Sequence, residues 1–199
     1  MRALEIDPQF APAHAALADV WAVRGWLGRL SANLPSDDDF ARAKAEAQLA
    51  QRLDPTLVEP CATMGALLFN THQFAAAEDQ FRQAFTLNPN YAVARYWHAL
   101  LLWARGDLED ALLELERAER LDPLSFSMLE GYVRLLAYTG RYHEALAMND
   151  RASAVRPNVP FVVAERALIL LGLERKREAV EAARNIGRNL TLEPRRYGD

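Results

Sequence analysis

Four prolines, Pro55, Pro89, Pro123 and Pro157, stand at successive intervals of 34 residues. Three of them close the triplets Leu53-Asp54-Pro55, Leu87-Asn88-Pro89 and Leu121-Asp122-Pro123. Val155-Arg156-Pro157 is a weaker echo, and Ile6-Asp7-Pro8 opens the series 47 residues before Pro55. Proline makes up about 5% of average sequence, so three more prolines on such a grid by chance is on the order of one in ten thousand. The interval of 47 is one period carrying a 13-residue insertion. A period of 34 has room for two helices of about a dozen residues and two short turns.

Between the prolines, apolar residues recur at three- and four-residue spacing, and no strand-like alternation is sustained. Ala76, Ala77, Phe81, Ala84 and Phe85 form one helical face. Ala111, Leu112, Leu115, Ala118 and Leu121 repeat it one unit later, and Ala145, Leu146, Ala152 and Val155 follow. A lone hairpin cannot bury such a stripe, whereas stacked neighbours can. The Asp/Asn-Pro pair is expected to separate units: the side chain accepts from free amides at a helix start, and proline cannot continue the preceding helix. Gly106 and Gly140, also 34 apart, fall in the turn inside each unit, where a helix C-terminus favours a left-handed residue.

At 199 residues, 51% hydrophobic and 25% charged, the chain has an ordinary folded composition. A net charge of -4 does not advertise attraction to phosphate, so neither nucleic acid nor membrane is expected as a partner. The single cysteine, Cys61, leaves no internal disulfide and fits a reducing, cytoplasmic setting. The longest apolar run, Ala99 to Ala104, is far below the roughly 20 residues that span a bilayer. Met1 to Glu5 lacks the apolar core of a secretory signal and reads as the last turn of a helix, so residues 1–10 are expected to be the remnant of a preceding unit.

The sequence resembles the tetratricopeptide repeat (TPR) family. The family pattern is met nearly completely in the Val58 unit by Met64-Gly65, Leu68, Ala77, Phe81, Ala84 and Pro89. Ala99, Leu102, Ala111, Leu115, Ala118 and Pro123 meet it in the Ala92 unit, and Leu136, Ala145, Ala152 and Pro157 in the Phe126 unit. An earlier unit has Leu17-Ala18, Trp21 and Gly25, then Ala43, Ala47, Ala50 and Pro55 after the insertion. A final one has Ala167, Leu170, Ala179 and a late Pro194. The resemblance implies an all-α, right-handed α-solenoid of antiparallel helix pairs with about five repeats. It forms a single array over 1–199 with units at 11–57, 58–91, 92–125, 126–159 and 160–194. Cys61, Arg95 and His98 depart from apolar preferences, and Asn149 stands where Phe is usual; His98 is expected to be a satisfied packing residue. The longer first unit and the wording of the repeats look more narrowly like the arrays of bacterial signalling and transcription regulators.

The family lines a concave groove with the first helix of each unit. Carried over residue by residue, this implies a partner-binding surface of Phe69, Asn70, Tyr96, Trp97, Trp103, Arg134 and Tyr138, residue types enriched among those that dominate binding energies. The competing reading is that these aromatics pack between helices. A grip on a C-terminal carboxylate needs Lys, Asn and Arg at places that here hold Ala15, Asp19, Thr63, Val93 and Trp97, so that use is disfavoured.

In the segment that carries the insertion, Trp26 to Asp39, Asp37, Asp38 and Asp39 lack the Gly and Glu of a calcium loop. Ser36 with Asp39 reads as a capping box opening a helix from Phe40 to Leu53. Trp26 and Leu30 on this arm are candidates to cover the groove or contact another chain. His14, His72, His98 and His143 show no pair at ligand spacing, so no metal is expected. With no nucleophile elbow and no phosphate-cradling loop, no enzyme and no cofactor is expected either. The charge run Glu174 to Glu178 reads as a solvated face.

The function implied is a scaffold that takes a protein or peptide ligand, as a module of a larger bacterial regulatory protein. The alternative is a self-association module that oligomerises attached signalling domains. A pentatricopeptide-type RNA-binding array is disfavoured by the period, the acidic balance and the lack of a basic stripe.

Overall fold

The structure, a computed structural model, describes residues 2–30, 36–157 and 159–190. The contact expected of Leu30 and the capping role of Ser36 rest on side chains that are not described, and the late Pro194 lies outside the described residues. Among the described residues every regular element is a helix, and none is long and apolar enough to cross a membrane. The chain forms two compact units, Met1–Asp107 and Leu108–Asp199.

The first unit holds α1 (Arg2–Ile6), α2 (Ala11–Leu30), α3 (Ser36–Leu53), α4 (Glu59–Asn70), α5 (Phe74–Leu87) and α6 (Ala92–Arg105). α2 pairs with α3 and α4 with α5, and α2, α4 and α6 lie successively side by side. The second unit holds α7 (Leu108–Leu121), α8 (Phe126–Tyr138), α9 (Tyr142–Val155), α10 (Pro160–Gly172) and α11 (Lys176–Leu190). There α8 pairs with α9 and α10 with α11, and α8 touches α10.

Two grid places set the closeness of this packing. Ala43, Ala50, Ala77 and Ala84 in the first unit, and Ala111, Ala118, Ala145 and Ala152 in the second, are buried. Methyl-sized side chains there let helix backbones approach, and larger ones would overpack a dense interior. Leu67 shares a core with Ala18, Phe40 and Ala43, and Leu101 shares one with Cys61, Ala77, Phe81 and Ala84.

The turn between units works differently from the sequence expectation. Asp54 Oδ1 accepts from the Thr56 amide at 2.9 Å, Asn88 Oδ1 from the Asn90 amide at 2.9 Å, and Asp7 Oδ1 from the Gln9 amide at 2.9 Å. The carboxylate or amide thus closes an Asx-turn around the proline instead of capping the next helix. The backbone of the same residue completes the break: Leu57, Tyr91 and Ser125 amides donate to the Asp54, Asn88 and Asp122 carbonyls. Proline fits because position i+1 of such a turn wants its fixed φ.

The turn inside each unit carries a second grid that sequence reading found only in half. His72, Gly106, Gly140 and Glu174 stand 34 apart with φ of 59°, 88°, 77° and 59°. The next amide in each case, of Gln73, Asp107, Arg141 or Arg175, donates at 2.9 Å to the carbonyl of Leu68, Leu102, Leu136 or Leu170. This is the Schellman closure, which needs a left-handed residue whatever its side chain. Glycine meets that need freely, while His72 and Glu174 carry the steric cost of a Cβ. Glu174→Gly is therefore expected to raise stability by about 0.5–1 kcal/mol and Gly106→Ala to lower it by about 1 kcal/mol. Chemical denaturation of the two variants checks both signs.

The insertion lengthens both helices of its hairpin. α3 begins at Ser36, four residues before the expected Phe40. Asp39, buried in its first turn, pairs with Arg24 Nε at 3.0 Å, joining α3 to α2. His14, also buried, has Nδ1 2.6 Å from Glu46 Oε2 and Nε2 3.0 Å from the Pro8 carbonyl. Both partners are acceptors, so the geometry selects the imidazolium. Burial pulls its pKa down, but the Pro8 and Glu46 hydrogen bonds and the Glu46 charge together lift it above 6.5. This link is at full strength below pH 6.5 and weakens as pH rises through the raised value.

The departures from the family pattern have local accounts. Cys61 is buried and accepts from Gln51 Nε2 at 3.3 Å. Arg95 lays its guanidinium over Phe85 and donates from Nε to the Pro89 carbonyl at 2.9 Å. His98 packs between Phe81 and Phe85. It is not hydrogen-bond satisfied, because its ring nitrogens are buried without hydrogen bonds and Nε2 stands 3.4 Å from Glu78 Oε2. Asn149 donates to the Val162 carbonyl at 3.0 Å and leaves Oδ1 buried without a partner.

Candidate functional site

In the first unit, the faces of α4 and α6 bring together three of the expected residues. Trp97 stands at the centre, with ring centroids 6.4 Å from Phe69 and 5.5 Å from Tyr96. The long α2 adds Trp26, 5.5 Å from Trp97, and Phe74 stacks on Phe69 at 6.1 Å. All of these are half-buried. Phe69 and Trp97 both pack on the core and remain partly exposed, so packing between helices accounts for part of each ring. Trp103 is half-buried on α6. Asn70 donates to the Ala66 carbonyl at 2.7 Å, so its amide nitrogen serves the end of α4.

The same face holds charge that residue types alone did not single out. Thr63 Oγ1 donates to Asp19 Oδ1, tying α4 to α2, and Thr63 also reaches back to the Glu59 carbonyl at 3.1 Å. Burial pushes the Asp19 carboxyl up; the Thr63 bond opposes this and the Glu59 charge adds to it. The Tyr91 phenol is likewise raised, by burial first and then by the charges of Asp19 and Glu59. The three side chains thus form one cluster. Among the described residues no cation pairs with Asp19 or Glu59, a property of folding that no sequence motif announces.

In the second unit, Arg134 and Tyr138 are one helical turn apart on α8. Arg134 Nε is 3.8 Å from Glu165 Oε1, and Nη1 is 4.0 Å from Glu130 Oε1. Its guanidinium lies 5.9 Å from the Phe161 ring centre. Tyr138 is exposed, as are Phe161, Leu168 and Leu171 on α10. Burial pushes Glu165 up to about 7, with Arg134 lowering and Glu130 raising it. Its folded pKa exceeds the unfolded 4.5, so stability linked to it is complete below pH 4.5 and lost as pH rises through about 7. Glu165→Gln is expected to stabilise the protein at pH 8 by on the order of 1–3 kcal/mol. The difference should vanish below about pH 4.5, as read by thermal melts across that range.

No protein-family model matches the chain, and no curated protein matches it in sequence. Solved structures do. The crystal structure of YrrB, described as a TPR protein with an unusual peptide-binding site, is 18% identical. It covers 96% of this chain and 92% of its own, with a TM-score of 0.64. The chain has the tetratricopeptide-repeat fold. MamA shares this TPR-like architecture at 15% identity and a TM-score of 0.67, covering 92% of this chain and 97% of its own. PilF of Pseudomonas aeruginosa does so at 16% identity and a TM-score of 0.69, covering 89% and 78%. At these identities the likeness concerns the TPR fold, and the side chains on the first-helix face are this chain's own.

Proposed function

We propose that the chain is a non-enzymatic scaffold whose first-helix face forms a groove for a peptide or helix of a partner protein. The proposed contacts are Phe69, Asn70, Tyr96, Trp97 and Trp103 in one unit and Arg134 and Tyr138 in the other, within a single array of five repeats. The observation that carries this reading is the half-buried cluster of Trp26, Phe69, Tyr96 and Trp97. A closed core would hide these rings, and a surface with no partner rarely gathers so many. A pre-ordered stack also lowers the ordering cost of binding. The setting proposed is cytoplasmic, within a bacterial regulatory protein, as the wording of the repeats suggests.

The test is a selection from a random twelve-residue peptide library against the whole chain. Peptides should be enriched, and Trp97→Ala, shown to be folded by circular dichroism, should bind a selected peptide at least tenfold more weakly. No enrichment, or unchanged binding by both Trp97→Ala and Trp103→Ala, sinks the reading.

A second reading, self-association, is favoured by α2. Its outward residues Pro12, Ala16, Val20, Val23 and Leu27 are exposed and uncharged. Val20 is 58% exposed where Leu67 and Leu101, at the same place in later units, are buried. Light scattering decides: mass rising with concentration and abolished by Val20→Glu supports it, and a concentration-independent monomer refutes it.

A further inference from the structure

We infer that the first unit's groove takes a segment presenting a lysine or arginine to Asp19 and Glu59, spaced about three to five residues from an apolar side chain that meets Phe69 and Trp97. This inference rests on the peptide-binding reading above and names the chemistry of the bound segment.

Asp19 on α2 and Glu59 on α4 are both half-buried, and among the described residues neither has a cationic partner. Partly desolvated carboxylates without a counter-charge are costly to fold. Thr63, itself buried, fixes the Asp19 carboxylate from one side, and the Tyr91 phenol lies within the field of both acids. The arrangement is therefore held in place, not a pair of acids swinging in solvent. Burial raises the Asp19 carboxyl and the Glu59 charge adds to this, with the Thr63 bond opposing both. Elsewhere in the chain half-buried acids do have cations: Arg151 pairs with Glu119, and Arg105 reaches Glu78. An arriving ammonium or guanidinium supplies what Asp19 and Glu59 lack.

Spacing follows from the helix. Glu59, Thr63, Ala66 and Asn70 recur along one face of α4, and Phe69 closes its far end. Glu59 is ten residues from Phe69 and Thr63, which holds Asp19, is six, so at 1.5 Å rise the acids lie about 9–15 Å from Phe69 along the axis. An extended peptide advances about 3.3 Å per residue, so about three to five residues span that distance. The places where Lys, Asn and Arg would grip a terminal carboxylate hold Ala15, Asp19, Thr63, Val93 and Trp97, one of them acidic and none basic, which favours a cationic anchor over an anionic one.

The same random library tests this. Selected peptides should carry Lys or Arg about three to five residues from an aromatic or aliphatic residue. The double variant Asp19→Asn, Glu59→Gln should bind a selected peptide at least tenfold more weakly. The Asp19→Asn change keeps a side-chain oxygen for Thr63, so the variant's melting temperature should equal or exceed that of the native chain. Binding should also weaken as salt rises for the native chain and far less for the double variant. Enriched peptides without a Lys/Arg preference, or peptides held equally by the double variant, overturn this inference and leave the groove standing. Failure to enrich any peptide overturns both.

Discussion

Replacing Phe81 by alanine is expected to destabilise the first unit by about 3–5 kcal/mol, the cost of emptying a fully buried aromatic site. Phe81 is 0% exposed and its ring fills the space that a side chain at residue 65 would take. A Cβ built on Gly65 would lie 2.5 Å from a Phe81 ring carbon. Gly65→Ala alone is thus expected to cost about 1–3 kcal/mol through overpacking. Gly65→Ala combined with Phe81→Leu should cost less than the sum of the two single changes, because the smaller side chain relieves the clash. Urea titrations of the four proteins close this cycle, and strict additivity would remove Gly65 and Phe81 from direct contact. The sequence offers the same trade at the corresponding pair in the next unit, Ala99 and Leu115, and then Val133 and Asn149: as the first residue grows, the second shrinks.

The second large effect separates neighbours on one helix. Ile169 is 1% exposed and Leu168 is 65% exposed. Ile169→Ala is expected to cost about 2–5 kcal/mol, whereas Leu168→Ala should stay within about 0.5 kcal/mol. Both are aliphatic residues inside the same apolar run of α10, so composition and hydropathy do not tell them apart. Only the orientation of the helix does. Equal losses in denaturation would mean that α10 is rotated or covered, and a loss at Leu168 alone would reverse its buried face.

The contrast shows what was legible in the chain beforehand. Helical pairs, their period and the buried alanines at 77, 84, 111, 118, 145 and 152 follow from spacing, because stacking needs small side chains at fixed phases. Phe69, Tyr96 and Trp97 could be brought to one place by register alone. The left-handed turn was visible at Gly106 and Gly140 but hidden at His72 and Glu174, where backbone geometry imposed by the stack overrides residue preference. Asp54 and Asn88 were recognisable as turn residues, yet whether such a side chain caps a helix or closes its own turn depends on where the next helix begins. The helix opening was recognisable from Ser36 and Asp39, but its start is at Ser36 and not Phe40, so the acids belong to its first turn, where Asp39 gains its place from Arg24 on another helix. The cluster of Asp19, Glu59 and Tyr91 was out of reach. Its members are far apart in sequence, and none belongs to a motif.

The most direct measurement of the central claim is a nuclear magnetic resonance titration of the labelled chain with a selected peptide. The chain has four tryptophans, Trp21, Trp26, Trp97 and Trp103, whose indole signals can be followed one by one. The account predicts that Trp26 and Trp97 shift on peptide addition together with α4 and α6 amides, while α5 and α9 stay unmoved. Shifts confined to α5 and α9, with both indoles unchanged, would contradict it.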